Sequence, residues 1–206
     1  MLHAFKKEIN ETSYTYGKLV PKLFGLFTAI AAIGWAVSVF LSGVHFWVLP
    51  LPASFDVTGT PWQVMTSEWA YVLGIPLALL GAFYYLTVLV LSGMWFHTRH
   101  ALVLKVLTPI SAMGVVASSF FVYLQLFVIG AICPFCMVSA AATVILFVLE
   151  LIMLRMSKLP SFGELLRGAQ VVVDRKAFTW MALMFIVSSL VVLSFWMVTI
   201  IPAPGA

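Results

Sequence analysis

The chain has 206 residues, 63% hydrophobic and 9% charged, with a mean hydropathy of +1.12. A soluble domain averages roughly 45–50% apolar and about 25% charged residues, so these few charges cannot cover a soluble surface and much of it must face lipid. The net charge of +4 comes from scattered residues flanking apolar blocks, with no basic stripe of the kind that follows phosphates, which argues against nucleic acid as a partner and suits anionic lipid headgroups.

A polar stretch, 1–22, precedes the first apolar block, Leu23–Val48. That block far exceeds the roughly 7–15 apolar residues of a signal-peptide core, so it is expected to stay in the mature chain as a helix. Four more blocks follow at Tyr71–Phe96, Val106–Ile132, Pro134–Leu154 and Ala177–Ile201. Each approaches or exceeds the roughly 20 helical residues that cross a bilayer core. None alternates with the period of two that marks barrel strands. Because a backbone in lipid must satisfy its own hydrogen bonds, each block is read as a helix. The expected fold is an all-α integral membrane protein. Residues 23–157 form a four-helix transmembrane bundle with an outer loop over 49–70. Residues 158–176 form a connector on the headgroups, and 177–206 a fifth transmembrane helix with a short tail.

The basic residues set the orientation. Lys6, Lys7, Lys18 and Lys22 precede the first span, Arg99 and Lys105 lie between the second and third, and Arg155, Lys158, Arg167, Arg175 and Lys176 lie between the fourth and fifth. Five spans put all of them on one side, which the positive-inside rule makes cytoplasmic. The N-terminus is then inside and the C-terminus outside. The loop 49–70 carries only Asp56 and Glu68 as charges and lies outside, where Trp47, Trp62 and Trp69 suit an interfacial belt. Asp56 and Ser67 are candidates for ordering it. Gly81, Gly93 and Gly114 are expected to ease helix contacts. Glu150, near the inner end of the fourth span, is expected to snorkel to the headgroups, and His97 and His100 are read as inner loop residues. No other charge lies well inside a span, which argues against a transporter or channel.

The two cysteines form one Cys-x-x-Cys, Cys133 and Cys136, in a very short outer turn. Pro134 suits a first helical turn, since it lacks the amide that would be orphaned there. Sulfurs three residues apart at a helix start share one face, and the free N–H groups and dipole of that end stabilise a thiolate. Such a pair could pass electrons to a lipid-soluble acceptor between the helices. The competing readings are an inert pair and a zinc site. Zinc needs about four ligands, and only His45 stands nearby in the expected topology.

The run from Phe120-Phe121-Val122-Tyr123-Leu124 through Ile132-Cys133-Pro134-Phe135-Cys136-Met137-Val138-Ser139-Ala140-Ala141, and the segment Ser67–Tyr85 with its Gly74-Ile75-Pro76, Gly81 and Tyr84-Tyr85, resemble the vitamin K epoxide reductase family, particularly its bacterial members. The resemblance covers roughly residues 20–155. It implies a bundle around a quinone (ubiquinone or menaquinone) in a bacterial inner membrane, with no metal. Cys136 would be the quinone-facing thiolate and Cys133 its disulfide partner, attacked by thiols of an extracytoplasmic thioredoxin-like protein. The quinone-binding residues would include Leu77, Tyr84, Ser139 (just after the pair, where animal enzymes have a tyrosine) and His45, a candidate for moving quinone protons. Two family features are missing from the sequence: the outer-loop cysteine pair and the thioredoxin-like domain after the fifth helix. The leading expectation is direct exchange with a separate thioredoxin-fold partner. The alternative is a non-catalytic membrane subunit of a larger complex.

Overall fold

The computed structural model describes residues 15–48, 56–99, 101–158 and eight positions between 181 and 192. The connector 158–176 beyond Lys158, most of the fifth span, His100 and the His97 side chain lie outside the described residues. The described positions between 181 and 192 are helical. Among the described residues, four helices are long and apolar enough to cross a membrane, and the protein is an all-α, multi-pass membrane protein.

A two-residue strand, β1 (Thr15–Tyr16), leads into helix α1 (Val20–Val48). α1 starts three residues ahead of the apolar block because the Gly17 carbonyl accepts the Val20 N–H at 2.9 Å and Pro21 is harmless in a first turn. A short helix, α2 (Pro61–Thr66), and a 3₁₀ turn, Glu68–Ala70, follow in the loop. The second span was expected to begin at Tyr71. Instead Tyr71–Val72 (β2) and Ile75–Pro76 (β3) pair antiparallel. Leu73 and Gly74 at the tip have φ of 53° and 80°, the left-handed pair that two-residue hairpins use. Pro76 then stands as N-cap of α3 (Leu77–Thr98), after holding Ile75 extended.

Helix α4 (Ala101–Tyr123) starts five residues before the expected Val106 and continues as a π-helical segment, Leu124–Ile129. It ends at Gly130, whose φ of 71° closes the helix. α5 (Pro134–Arg155) follows after four residues, and β4 (Ser157–Lys158) pairs with β1.

α1 packs along α3 and α5, and α5 along α4, whereas α3 and α4 meet over less of their length. Two close approaches depend on missing side chains. A Cβ on Gly34 would lie 2.2 Å from the Tyr85 ring, and one on Gly114 would lie 2.5 Å from the Tyr84 hydroxyl. Gly81 would meet Ser38, but Gly93 faces open space, so it eases no contact between the described helices.

The closest packing is at the basic end. Trp95 is fully buried, stacked on Phe24 with ring centroids 4.1 Å apart and edge-on to Tyr16 at 5.4 Å. The Arg99 guanidinium lies 4.4 Å from its ring centre. The Tyr16 hydroxyl donates to the Arg99 carbonyl at 2.9 Å, fixing β1 to the α3–α4 turn.

Glu150 departs from expectation. It does not snorkel: it is 0% exposed and accepts a hydrogen bond from the Thr108 hydroxyl at 2.9 Å. α5 presents this face to α4, so the carboxyl meets a neighbouring helix and takes its hydroxyl as partner, as a buried polar group must.

Candidate functional site

The Cys-x-x-Cys is built by three backbone decisions. The left-handed Gly130 ends the third span, the extended Cys133 caps α5, and Pro134 opens it. The Cys133 sulfur accepts the Cys136 N–H at 3.4 Å, as an N-cap side chain does. The Cys136 thiol beside it is the main reason why the Cys133 thiol is pulled down to about 7, against a desolvation that opposes it. A thiolate in the reduced pair is thereby favoured on Cys133, at the helix start.

Gln125 holds the turn in place. The π segment brings this amide into the bundle, 3% exposed, while Leu126, Phe127 and Val128 face outward. Its side-chain oxygen accepts the Cys133 N–H at 2.9 Å. A π segment widens the helix by one residue per turn and so re-aims a side chain. Nothing in the apolar periodicity announces such a segment, although a lone Gln in an otherwise apolar span was a usable signal.

Helix α2 lies over the pair. The Gln63 side-chain oxygen accepts the Gly59 N–H at 2.7 Å, and its nitrogen donates to the Ile129 carbonyl at 2.9 Å. Val64 and Met65 then pack with Leu41, Ala131 and Cys133. As a result Cys133 is 0% exposed, whereas Cys136 is half-buried. Asp56 accepts the Thr58 N–H at 2.9 Å, and the Ser67 hydroxyl donates to the Val64 carbonyl at 2.8 Å. Both therefore order the loop through local turns.

Inside this cover is a cavity of about 530 Å³, within the roughly 300–1,000 Å³ of small-molecule sites. Of the six residues singled out in the sequence, Cys136, Ser139, Tyr84, Leu77 and His45 all line it, and Cys133 lies behind Cys136. His45 is buried at the mouth, edge-on to Tyr71 at 4.9 Å. At the far end the Tyr85 hydroxyl donates to the Ser139 carbonyl at 2.6 Å and bonds Thr143 Oγ1 at 2.8 Å. Tyr84 differs from its neighbour: its buried hydroxyl has no partner. Most of the remaining wall is apolar, and Met113, which lines it from α4, is 74% exposed, so this side borders the lipid-facing surface.

Residues 26–151 match the model of the vitamin K epoxide reductase family, over more than half of the chain. The chain belongs to the vitamin K epoxide reductase family. The match runs from within the first to within the last of the four crossing helices among the described residues and includes both cysteines. A comparison with curated proteins found no match. Membership makes this a membrane redox protein, of a family linked in general to quinones and to thiol-oxidoreductase partners.

A quinone fits the residues present. Its ring and prenyl tail need an apolar slot open toward lipid, and its carbonyl oxygens need donors. The cavity offers the first along α3 and α4, and the unpartnered Tyr84 hydroxyl offers the second. Tyr85, Thr143 and Gln125, missed in the sequence, add polar atoms to the wall.

Proposed function

We propose that this chain is a quinone-linked thiol–disulfide oxidoreductase of a bacterial plasma membrane, with the cysteine end outside the cytoplasm. The observation that carries the reading is that Cys136 stands on the wall of an apolar cavity whose far end holds an unpartnered Tyr84 hydroxyl. The quinone supplies a two-electron oxidant there.

Tyr84 would donate to a quinone oxygen, Leu77 would pack on the ring, and Ser139 and His45 would complete the wall. Electrons enter from a thioredoxin-fold partner whose dithiol attacks Cys133 of the oxidised pair. The attack forms a mixed disulfide at Cys133 and releases Cys136, on the cavity wall, as the free sulfur. The partner's second thiol then resolves the mixed disulfide and leaves Cys133 and Cys136 reduced. The thiolate preference of Cys133 suits it to the leaving-group role in that second step, because a stabilised thiolate leaves faster. With no cysteine in 49–70, the exchange is direct, and α2 must lift from Cys133 to admit the partner.

The test is quinone reduction by purified protein with a reduced thioredoxin-like donor and a short-chain ubiquinone or menaquinone. Cys136→Ala is expected to abolish turnover. Equal turnover in the variant would refute the reading.

A further inference from the structure

The cavity does not account for the most unusual side chain in the bundle. Ionisable groups buried at membrane depth are rare, and those that persist tend to sit on ion or proton paths. Glu150 is such a group, with no exposed surface. One of its oxygens is held by Thr108, while the other, Oε2, is buried without a partner. Among the described residues only two other buried side-chain polar atoms lack one, Trp35 Nε1 and the Tyr84 hydroxyl.

Glu150 and Tyr84 stand at the two ends of one stripe. On α4, Thr108, Ser111 and Gly114 recur every three residues and so share a face. Thr108 bonds Glu150, the fully buried Ser111 stands one turn on with its hydroxyl donated to the Leu107 carbonyl, and Gly114 provides the space that the Tyr84 hydroxyl occupies. From Thr108 to Gly114 the helix rises about 9 Å. Pro109 interrupts the helix ladder beside Thr108 and lines the cavity floor with Ile110. At its other end Glu150 is five residues from the last residue of α5, Arg155, or about 7.5 Å along the axis. It therefore lies between the cavity and the basic side.

We propose that Glu150 exchanges protons with the cavity, and that each turnover draws one proton from the basic side through it. This rests on the quinone-linked reading above. In the step concerned, Cys133 and Cys136 are oxidised: they lose their two thiol protons, form one S–S bond and give two electrons to the quinone. One thiol proton goes to the quinone oxygen nearer the cysteines and the other leaves to the outside. Glu150 supplies the proton for the far oxygen by way of the Thr108 and Ser111 hydroxyls and Tyr84, and is reprotonated from the basic side. The sum is dithiol, quinone and one inner proton converted to disulfide, quinol and one outer proton.

The experiment uses the full chain in vesicles with a short-chain ubiquinone, a pH dye trapped inside and a potassium ionophore. Reduced thioredoxin added outside cannot cross, so only molecules with outward cysteines turn over. The expected result is one proton lost from the interior per quinone reduced. Glu150→Gln should abolish that uptake and slow turnover at least tenfold, with the thermal midpoint and the alkylation rate of Cys136 kept. Turnover without interior alkalinisation, or wild-type proton uptake in Glu150→Gln, would overturn the proposal. If Glu150→Gln does not fold, the wild-type proton count still decides. Absence of Cys136-dependent turnover in the wild type is a separate outcome, which refutes the quinone-linked reading and this inference with it.

Discussion

The two ends of the bundle are built on opposite plans. At the basic end, Phe24, Phe27, Trp95, Leu104, Leu107 and Met153 are all fully buried, with rings stacked and a strand pair joining the start of the bundle to the end of α5. At the cysteine end the same helices leave a cavity of about 530 Å³, covered by a six-residue helix that hangs on Gln63. In lipid there is little hydrophobic gain from bringing helices together, so close packing must hold them. Concentrating that packing at one end leaves the other free to hold a cavity beside the cysteines. Stability and chemistry are thereby separable along the membrane normal.

The comparison can be broken at either end. The largest effect is expected from Trp95→Ala. It removes the centre of the basic-end stack and should cost about 3–5 kcal/mol, the range for large aromatic truncations in packed cores. Chemical or thermal unfolding in detergent should register this, while the remaining folded protein reduces quinone at the wild-type rate. A loss of activity that exceeds the loss of folded protein would show that the two ends are coupled.

Gln125→Leu is expected to have a smaller effect, on the other end. It leaves the Cys133 N–H buried without its acceptor, at about 1–3 kcal/mol, and frees the turn that positions the pair. The expected signature is accelerated alkylation of Cys133 with the basic-end core intact, as measured by Trp fluorescence. Unchanged alkylation would mean that the π segment does not control the cysteines.

The mildest perturbation is titration of the reduced pair. Since the Cys136 thiol is the main stabiliser of the Cys133 thiolate, thiolate absorbance should appear as pH rises through about 7 and disappear below it. In Cys136→Ala the midpoint should move up toward that of an ordinary cysteine. A midpoint unchanged in the variant would assign the effect to the helix start alone.

Much of the site was legible in one dimension for a simple reason. Cys133, Pro134 and Cys136 are neighbours in sequence, and the chemistry of a helix start depends on neighbours. Gln63 and Ile129 are far apart in sequence, as are Tyr85 and Ser139, and no local pattern pairs them. One misplaced boundary, the start of the second span, has a specific cause. Apolar residues continued past a helix start at Tyr71–Pro76, where a hairpin carries Leu73 at 98% exposure, because lipid and protein interior attract the same residue types.

Composition and the placement of Lys and Arg were enough to determine a helical membrane protein and which loops share a side, because the bilayer imposes length, apolarity and backbone self-satisfaction on each span separately. The Cys-x-x-Cys pointed to a redox pair for the same local reason. Tertiary structure alone decided that Tyr84 is unpartnered where Tyr85 is satisfied, that a π segment turns Gln125 onto Cys133, and that Glu150 faces a neighbouring helix and not the headgroups. Each of these depends on how helices rotate against one another. A few tens of degrees of rotation decide whether a polar atom meets lipid, a partner or a cavity, and the hydropathy of a span records no such angle.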